Sequence, residues 1–246
     1  MWALLFHHRH PGDEDYWIRQ ERLHLRRLLI LAVLLNTGIS TAADIAIDVG
    51  HTIRKPGVIS AAGVPEIEFN RKLALALERN LLDAGITTHL INADGNTDHL
   101  GQRTVQAAKD RLFISIHHDS VKQRYKPVTD SQFKGYSLWV SQRNTNYPLS
   151  VRCATLIADQ LLQAGFQPSH YHADPVFGES RPVVDWKRGI FTNNNLLVLG
   201  AARGAAVLVE AGVIVNPAEE ARLADPAVVA SHSMAIATGL KRCISG

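Results

Sequence analysis

Three short apolar runs, each leading into a polar residue, constrain this chain more than any other feature. Residues 45–49 run into Gly50-His51, residues 112–116 run into His117-His118-Asp119, and residues 205–209 run into Glu210. Compact apolar runs of this length, bounded by turn signals and separated by helical patterns, are how strands buried on both sides of a parallel sheet read. The segments between them carry the helical period. From Glu68 to Ala84, the residues Phe69, Leu73, Leu77 and Leu81 recur every four positions, and Gly85 stands where a helix stop is expected. Residues 149–164, closed by Gly165, predict a second long helix, and residues 226–243 a third. Residues 86–91 and 136–140 read as further strands, and Arg103 falls on a short helix. Residues 121–134 and 166–189 lack periodicity and read as loops. The alternation predicts an α/β fold: a single layered domain with a mixed, mostly parallel sheet and helices on both faces.

The 246 residues, 46% of them hydrophobic, suffice for one substantial core, and no repeat or internal boundary divides them. A formal charge of +3 spread along the chain gives no basic stripe, which excludes a nucleic-acid groove. No heptad pattern or large apolar surface calls for a partner chain, so a monomer is expected. The first 43 residues read differently from the rest. Arg22, Arg26 and Arg27 precede an apolar run, Leu28 to Leu35, and small and polar residues follow, ending in Thr41-Ala42-Ala43. That is the order of a secretory signal cleaved after Ala43. It divides the chain into residues 1–43, a signal peptide with an N-terminal extension, and residues 44–246, the folded domain. The apolar run is well short of the roughly 20 residues that span a bilayer, so no stable membrane insertion is expected after cleavage, and the mature protein is expected in the periplasm or outside the cell. An oxidising compartment permits a disulfide between Cys153 and Cys243; the sequence leaves this open against two buried thiols.

The chemistry concentrates at the strand ends. His51, His117 and Glu210 follow three predicted strands, and the carboxyl ends of strands are where ligand sites assemble in open α/β sheets. Glu68 joins them from the first turn of the first predicted helix. Two imidazoles and a carboxylate form a hydrolytic zinc shell with a position left for water, and a second carboxylate serves as base. Alternatives stand beside each. His118 neighbours His117, but adjacent strand residues face opposite sides, so one of the two points into the site. Glu66 competes with Glu68, and Glu210 could instead be the buried partner of Arg103 or Arg203. Asp48 and Asp119 either orient the ligand imidazoles through their second ring nitrogens or form turns. His170, His172, Asp174 and Glu179 cluster in a long loop without periodic structure, which favours solvent or substrate contact over a second metal site.

Asp48-Val49-Gly50-His51, Glu68 with Leu73 after it, Ser115-Ile116-His117, Gly135-Tyr136, and Leu208-Val209-Glu210-Ala211-Gly212 through Asn216 occur in a telling order. Over nearly all of residues 45–240 the chain resembles the zinc-dependent N-acetylmuramoyl-L-alanine amidases of the cell-wall-lytic type. The resemblance implies a zinc amidase/exopeptidase-like fold, zinc as cofactor, peptidoglycan as partner, and cleavage of the amide joining N-acetylmuramic acid to the L-alanine of the stem peptide. It implies His51, Glu68 and His117 as metal ligands and Glu210 as the catalytic carboxylate, its register selecting His117 over His118 and Glu68 over Glu66. The chain departs from the family pattern at the rim: Thr52-Ile53-Arg54-Lys55 replaces the usual glycines, His118 a small residue, and Val213 an aromatic one. Some divisome-regulated relatives carry an autoinhibitory helix after the counterpart of residues 135–140. The short connection here leaves no room for one and implies a site open without an activating partner. Two rivals remain: a zinc carboxypeptidase gripping a stem carboxylate with Arg54, Arg181 or Arg188, and an inactive wall-binding domain, which has no need of Glu210.

Overall fold

The three apolar runs form the middle of a seven-stranded sheet. A computed structural model describes residues 42–122, 133–176 and 178–245; the expected leader, apart from residues 42 and 43, and most of the loop expected over 121–134 lie outside them. The strands are β1 (Ile45–Val49), β2 (Thr88–Ile91), β3 (Leu112–Asp119), β4 (Ser137–Val140), β5 (Val183–Asp185), β6 (Ile190–Thr192) and β7 (Ala205–Val213), ordered β2-β1-β3-β7-β4-β6-β5. The first four in that order are parallel, β4 runs antiparallel to β7 and parallel to β6, and β5 closes the edge antiparallel to β6. The sheet is therefore mixed and mostly parallel, as the sequence predicts.

Strand parity assigns every side chain to a face. Ile45, Ile47, Val49, Leu112, Ile114, Ile116, Val207 and Val209 point to one side and build the larger core cluster, together with Leu73, Leu77, Leu81, Ile157, Leu161, Ile236 and Leu240. Those partners come from α1 (Glu66–Asp83), α3 (Tyr147–Gln163) and α6 (Pro226–Ile244), whose apolar stripes the 3.6-residue period aligns. Leu77 and Leu81 are fully buried, so truncating either to alanine costs about 2–5 kcal/mol. Ala46, Phe113, Ala206 and Leu208 face the other side, against a smaller cluster completed by Trp139, Phe191, Val198 and Leu199. The helices α2 (Leu100–Gln106) and α4 (Leu197–Ala201) lie on that side. The opposite parity thus reserves Asp48, Ser115, His117 and Glu210 for the thinly covered face.

The structure adds elements that the sequence does not announce: β5, β6, α4 and α5 (Pro217–Ala224). Each is three to eight residues long, too short to display a period. The loop expected over 166–189 holds a 3₁₀ turn, Tyr171–Ala173, and the edge strand β5. Asn216 caps α5 by accepting from the amides of Ala218 and Glu219, and Asp225 caps α6 by accepting from Ala227, so α5 ends where α6 begins. Cys153 of α3 and Cys243 of α6 are bonded as a disulfide, with Cα atoms 5.1 Å apart, which resolves the choice left open between bridge and thiols. Among the described residues, no helix is long and apolar enough to cross a membrane.

Candidate metal and catalytic site

At the carboxyl end of β1 the chain turns sharply at His51, whose φ of 67° is in the left-handed region. A residue with a Cβ enters that region at a cost of roughly 1–2 kcal/mol, so other contacts must hold it there. The His51 carbonyl accepts from Asn92 Nδ2 and from Arg103 Nη2, both at 2.6 Å, and the same two side chains hold the Val49 carbonyl at 2.6 and 3.1 Å. Arg103 is itself anchored by buried Asp48 at 3.3 Å, and Asp48 accepts from Ser115 Oγ at 2.7 Å. Gly50, between the strand and His51, is required by close approach: a Cβ there would lie 2.4 Å from the His117 ring.

The turn brings the His51 imidazole to that of His117, with ring centroids 4.9 Å apart. Between them sits a carboxylate, and it belongs to Glu66. Its Oε2 lies 3.0 Å from His51 Nε2 and its Oε1 lies 3.1 Å from His117 Nδ1. Candidate ligand atoms of His51, Glu66 and His117 all fall within 4.8 Å of one another. Burial by itself would push the Glu66 carboxyl up, but the facing imidazoles of His117 and His51 hold it below the usual carboxylate range. The backbone amides of Val58 and His118 and the Asn70 amide also donate to it, at 3.2 Å each. Two nitrogens and one oxygen, converging and partly exposed, are the donor set of a divalent metal site open on one side.

Glu68, expected from the sequence as the third ligand, is not at this place. Its side chain is 45% exposed and pairs with Arg71 at 2.9 Å. The physical reason is the helical period: residues two apart on α1 point about 200° apart. Glu66 lies four residues before buried Asn70 and seven before Leu73, so it continues the inward stripe, whereas Glu68 aligns with Lys72 and exposed Leu75. That spacing is a signal the sequence already contains. His117 faces His51, and His118 points to the opposite side, where its Nδ1 meets Asn70 Oδ1 at 2.8 Å and its ring packs beside Phe69.

Glu210 of β7 is the register partner of His117 on β3, and Ser137 of β4 flanks it on the other side. Its Oε2 is buried with no hydrogen-bond partner. Burial, followed by the charges of Asp119 and Glu66, raises its pKa well above the ordinary carboxylate value. The alternative that Glu210 is a structural ion-pair partner does not hold, because Arg103 is committed to Asp48 and Arg203 is exposed. Glu210 lines a cleft of about 160 Å³ with Asp119, Trp139, Tyr171 and His172.

Neither Asp48 nor Asp119 orients a site imidazole. Asp48 takes Arg103 and Ser115, and Asp119 Oδ2 takes His172 Nε2 and the Tyr171 hydroxyl, each at 2.7 Å. Tyr171 was not legible as a cleft residue, since its loop carries no period, whereas His172 belongs to the loop cluster expected at solvent or substrate. Of the loop cluster His170, His172, Asp174 and Glu179, only His172 and Glu179 line the cleft, and no metal-ligand group forms there among the described residues. Arg54 pairs with Asp98, Arg181 with Glu179, and Arg188 with Asp159 and Asp185.

The likeness to known proteins follows this geometry. The described domain shares its fold with the amidase Ami1 from Mycobacterium smegmatis, at a TM-score of 0.67 and 20% identity over 84% of this chain and 99% of that one. It likewise matches the catalytic domain of CwlV from Bacillus (Paenibacillus) polymyxa, at 0.63 and 24% over 80% and 96%, and an N-acetylmuramoyl-L-alanine amidase from Clostridium difficile 630, at 0.65 and 19% over 84% and 99%. No curated protein sequence matches the chain at a significant level. A family model described as N-acetylmuramoyl-L-alanine amidase matches residues 45–242, which begin at β1 and span His51, Glu66, His117 and Glu210. With the site and the fold both in place across that span, this chain belongs to the N-acetylmuramoyl-L-alanine amidase family.

Proposed function

We propose that this peptidoglycan amidase cleaves the bond between N-acetylmuramic acid and L-alanine with zinc held by His51, Glu66 and His117 and with Glu210 as general base and acid. The observation that carries the reading is the unpartnered Glu210 Oε2 beside three converging donors. The donor set fits zinc, which favours nitrogen and oxygen in a four-coordinate shell, and Gly50 leaves the space that the His117 ring fills. Zinc bound there supplies a Lewis acid that polarises the scissile carbonyl and makes water acidic near neutral pH. The rest of the reaction falls to the chain. Glu210 accepts the proton of the attacking water and delivers it to the departing L-alanine nitrogen, since an amide anion is too poor a leaving group. Asp119, His172 and Tyr171 form a hydrogen-bonded wall that shapes the cleft around the substrate.

A carboxypeptidase reading loses its support because Arg54, Arg181 and Arg188 are all engaged in ion pairs. The connection from β4 to α3 is residues 141–146, and no inhibitory helix occupies it, which favours a site competent without an activator. We also hold to export as the route by which the enzyme meets its substrate, with cleavage after Ala43 and a monomeric mature chain. Mass spectrometry of digested peptidoglycan tests the reading, with and without a chelator and beside Glu210→Ala. Free stem peptides beginning at L-alanine, seen only with metal and Glu210 present, are expected. Shortened stems still attached to sugar would mean a carboxypeptidase, and zinc retained without product in the unaltered chain would mean a binding domain.

A further inference from the structure

Tyr171 of the catalytic cleft also borders a larger concavity of about 430 Å³, lined with Lys134, Gln167, His170, Asp174 and Trp186. Trp186 occupies the turn between β5 and β6 and is 54% exposed. It is not a loose side chain. One face of its indole lies on the His170 ring, with centroids 4.2 Å apart and planes 9° from parallel, and the second ring nitrogen of His170 meets the Trp186 carbonyl at 2.9 Å. The turn that carries it is braced by Arg188, whose backbone amide and guanidinium donate to Asp185 at 3.1 and 2.8 Å and whose Nε donates to Asp159 at 2.7 Å. Gly189 completes the turn with a φ of 63°. A flat aromatic surface is thus fixed in place, open on one side, and unused by either core cluster.

We infer that this concavity is a saccharide subsite, which seats a pyranose of the glycan strand against Trp186 while the muramic acid occupies the cleft. A pyranose has an apolar face of C–H bonds and a polar edge of hydroxyl and acetamido groups. The first needs a flat aromatic surface, and the second needs donors and acceptors around it, as Gln167, His170, Lys134 and Asp174 provide. Lys134 and Asp174 carry opposite charges, so the wall suits a neutral acetamido sugar better than an anionic polymer. The shared Tyr171 makes the two concavities neighbours, as subsites along one strand must be. The inference rests on the amidase reading for the identity of the strand, but the binding itself is measurable without turnover.

The test uses the full chain carrying Glu210→Ala, so that nothing is cleaved, and titrates it with a peptide-free N-acetylglucosamine tetramer and separately with a free stem peptide. The tetramer is expected to bind and to change tryptophan fluorescence, Trp186→Ala weakening it about 10-fold, in keeping with the ~1.4 kcal/mol that separates such affinities. Trp186→Phe, which keeps a flat ring, should restore most of the binding. In the active chain, Trp186→Ala is expected to raise KM on glycan strands with kcat unchanged and to leave a single muramoyl-peptide unaffected, the pattern of lost uniform binding. Tetramer binding that ignores Trp186, no tetramer binding at all, or stem peptide captured at Trp186 instead would overturn the subsite. Trp186-dependent tetramer binding, together with no stem peptide released by the chain that keeps Glu210, would sustain the subsite and refute the amidase reading.

Discussion

His117 and Glu210 are paired positions on the adjacent parallel strands β3 and β7, so their side chains leave the sheet on the same face, one strand apart. Both belong to the rigid middle of the sheet, where Ile116 and Val209 beside them have no exposure. The Glu210 carboxylate is therefore fixed relative to the His117 imidazole by backbone hydrogen bonding, with no loop to adjust its reach. Glu210→Asp tests this fixity, because it keeps the carboxylate and withdraws it by one methylene. Turnover is expected to fall about 100-fold with KM little changed, since a displacement near 1 Å can cost that much. A steady-state assay on muramoyl-peptide checks it, and near-normal kcat would show that the strand pairing does not set the geometry.

Glu66 and Glu68 are both acidic residues of the first turn of α1, yet they have opposite roles in the structure. Glu66→Gln is expected to lower metal affinity by more than the roughly 10–100-fold that loss of an outer partner costs. Glu68→Gln is expected to retain full metal content, with stability within about 0.5 kcal/mol of the parent, as for surface changes generally. Metal stoichiometry on the purified variants separates the two; zinc lost with Glu68 and kept with Glu66 would reverse the assignment.

The contrast between these two glutamates shows where the sequence informs and where it does not. β1, β3, β7, α1, α3 and α6 are legible because buried parallel strands are continuous apolar runs and amphipathic helices carry a 3.6-residue stripe. The placement of His51 just past β1 follows from the same runs, whereas His117 and Glu210 lie inside β3 and β7, which continue beyond the apolar runs to Asp119 and Val213. Glu66 was equally legible from its seven-residue spacing to Leu73, but the motif register pointed to its neighbour. Other features depend on contacts far apart in sequence. The cleft wall of Tyr171, His172 and Asp119 joins positions 52 apart, and the disulfide requires α3 and α6 to cross at one place. No local pattern encodes either.

Arg103 is 2% exposed and joins Asp48, the Val49 and His51 carbonyls and the Thr97 carbonyl. Replacing it by methionine leaves the Asp48 carboxylate buried without a cation and releases the turn that holds His51. A loss of about 3–5 kcal/mol is expected in denaturant unfolding. Adding Asp48→Asn to Arg103→Met should recover part of it, because the stranded charge is then gone. Metal affinity of whatever fraction folds should also fall, since the left-handed conformation of His51 loses its clamp. Unaltered affinity in a folded Arg103→Met would limit the arginine to stability.

His232 of α6 is buried beside Phe166, and its Nε2 has no hydrogen-bond partner. Burial, followed by the charges of His118 and Arg222, lowers its pKa from 6.5 to about 3. The unfolded chain takes up this proton at pH 6.5 and the folded chain only near 3. Stability is therefore full above pH 6.5 and falls as pH drops toward 3, at up to about 1.4 kcal/mol per pH unit from this one group. His232→Leu removes that contribution. Unfolding curves at pH 7 and pH 4 should show a shallower acid loss for the variant than for the parent, with His118, lowered to about 4, accounting for part of the slope that remains. Parallel losses in both proteins would mean that His232 is already protonated or solvated in the fold.

The disulfide joins two helices that already pack together on one face, so its effect must come mostly from the unfolded chain. Closing a loop of 90 residues removes denatured-state entropy worth about 4.6 kcal/mol by the loop-closure relation, and measured bridges typically give ~2–4. Cys153→Ala with Cys243→Ala should lower stability by that amount and Tm by about 5–15 °C, at 2–4 °C per kcal/mol for a domain of this size. Catalysis at low temperature should be unchanged, because α3 and α6 cover the face of the sheet opposite to Glu210. Reducing agent should reproduce the double variant in the parent and do nothing to the variant itself. A loss of activity that exceeds the loss of folded protein would show instead that the bridge reaches the site through the β-sheet.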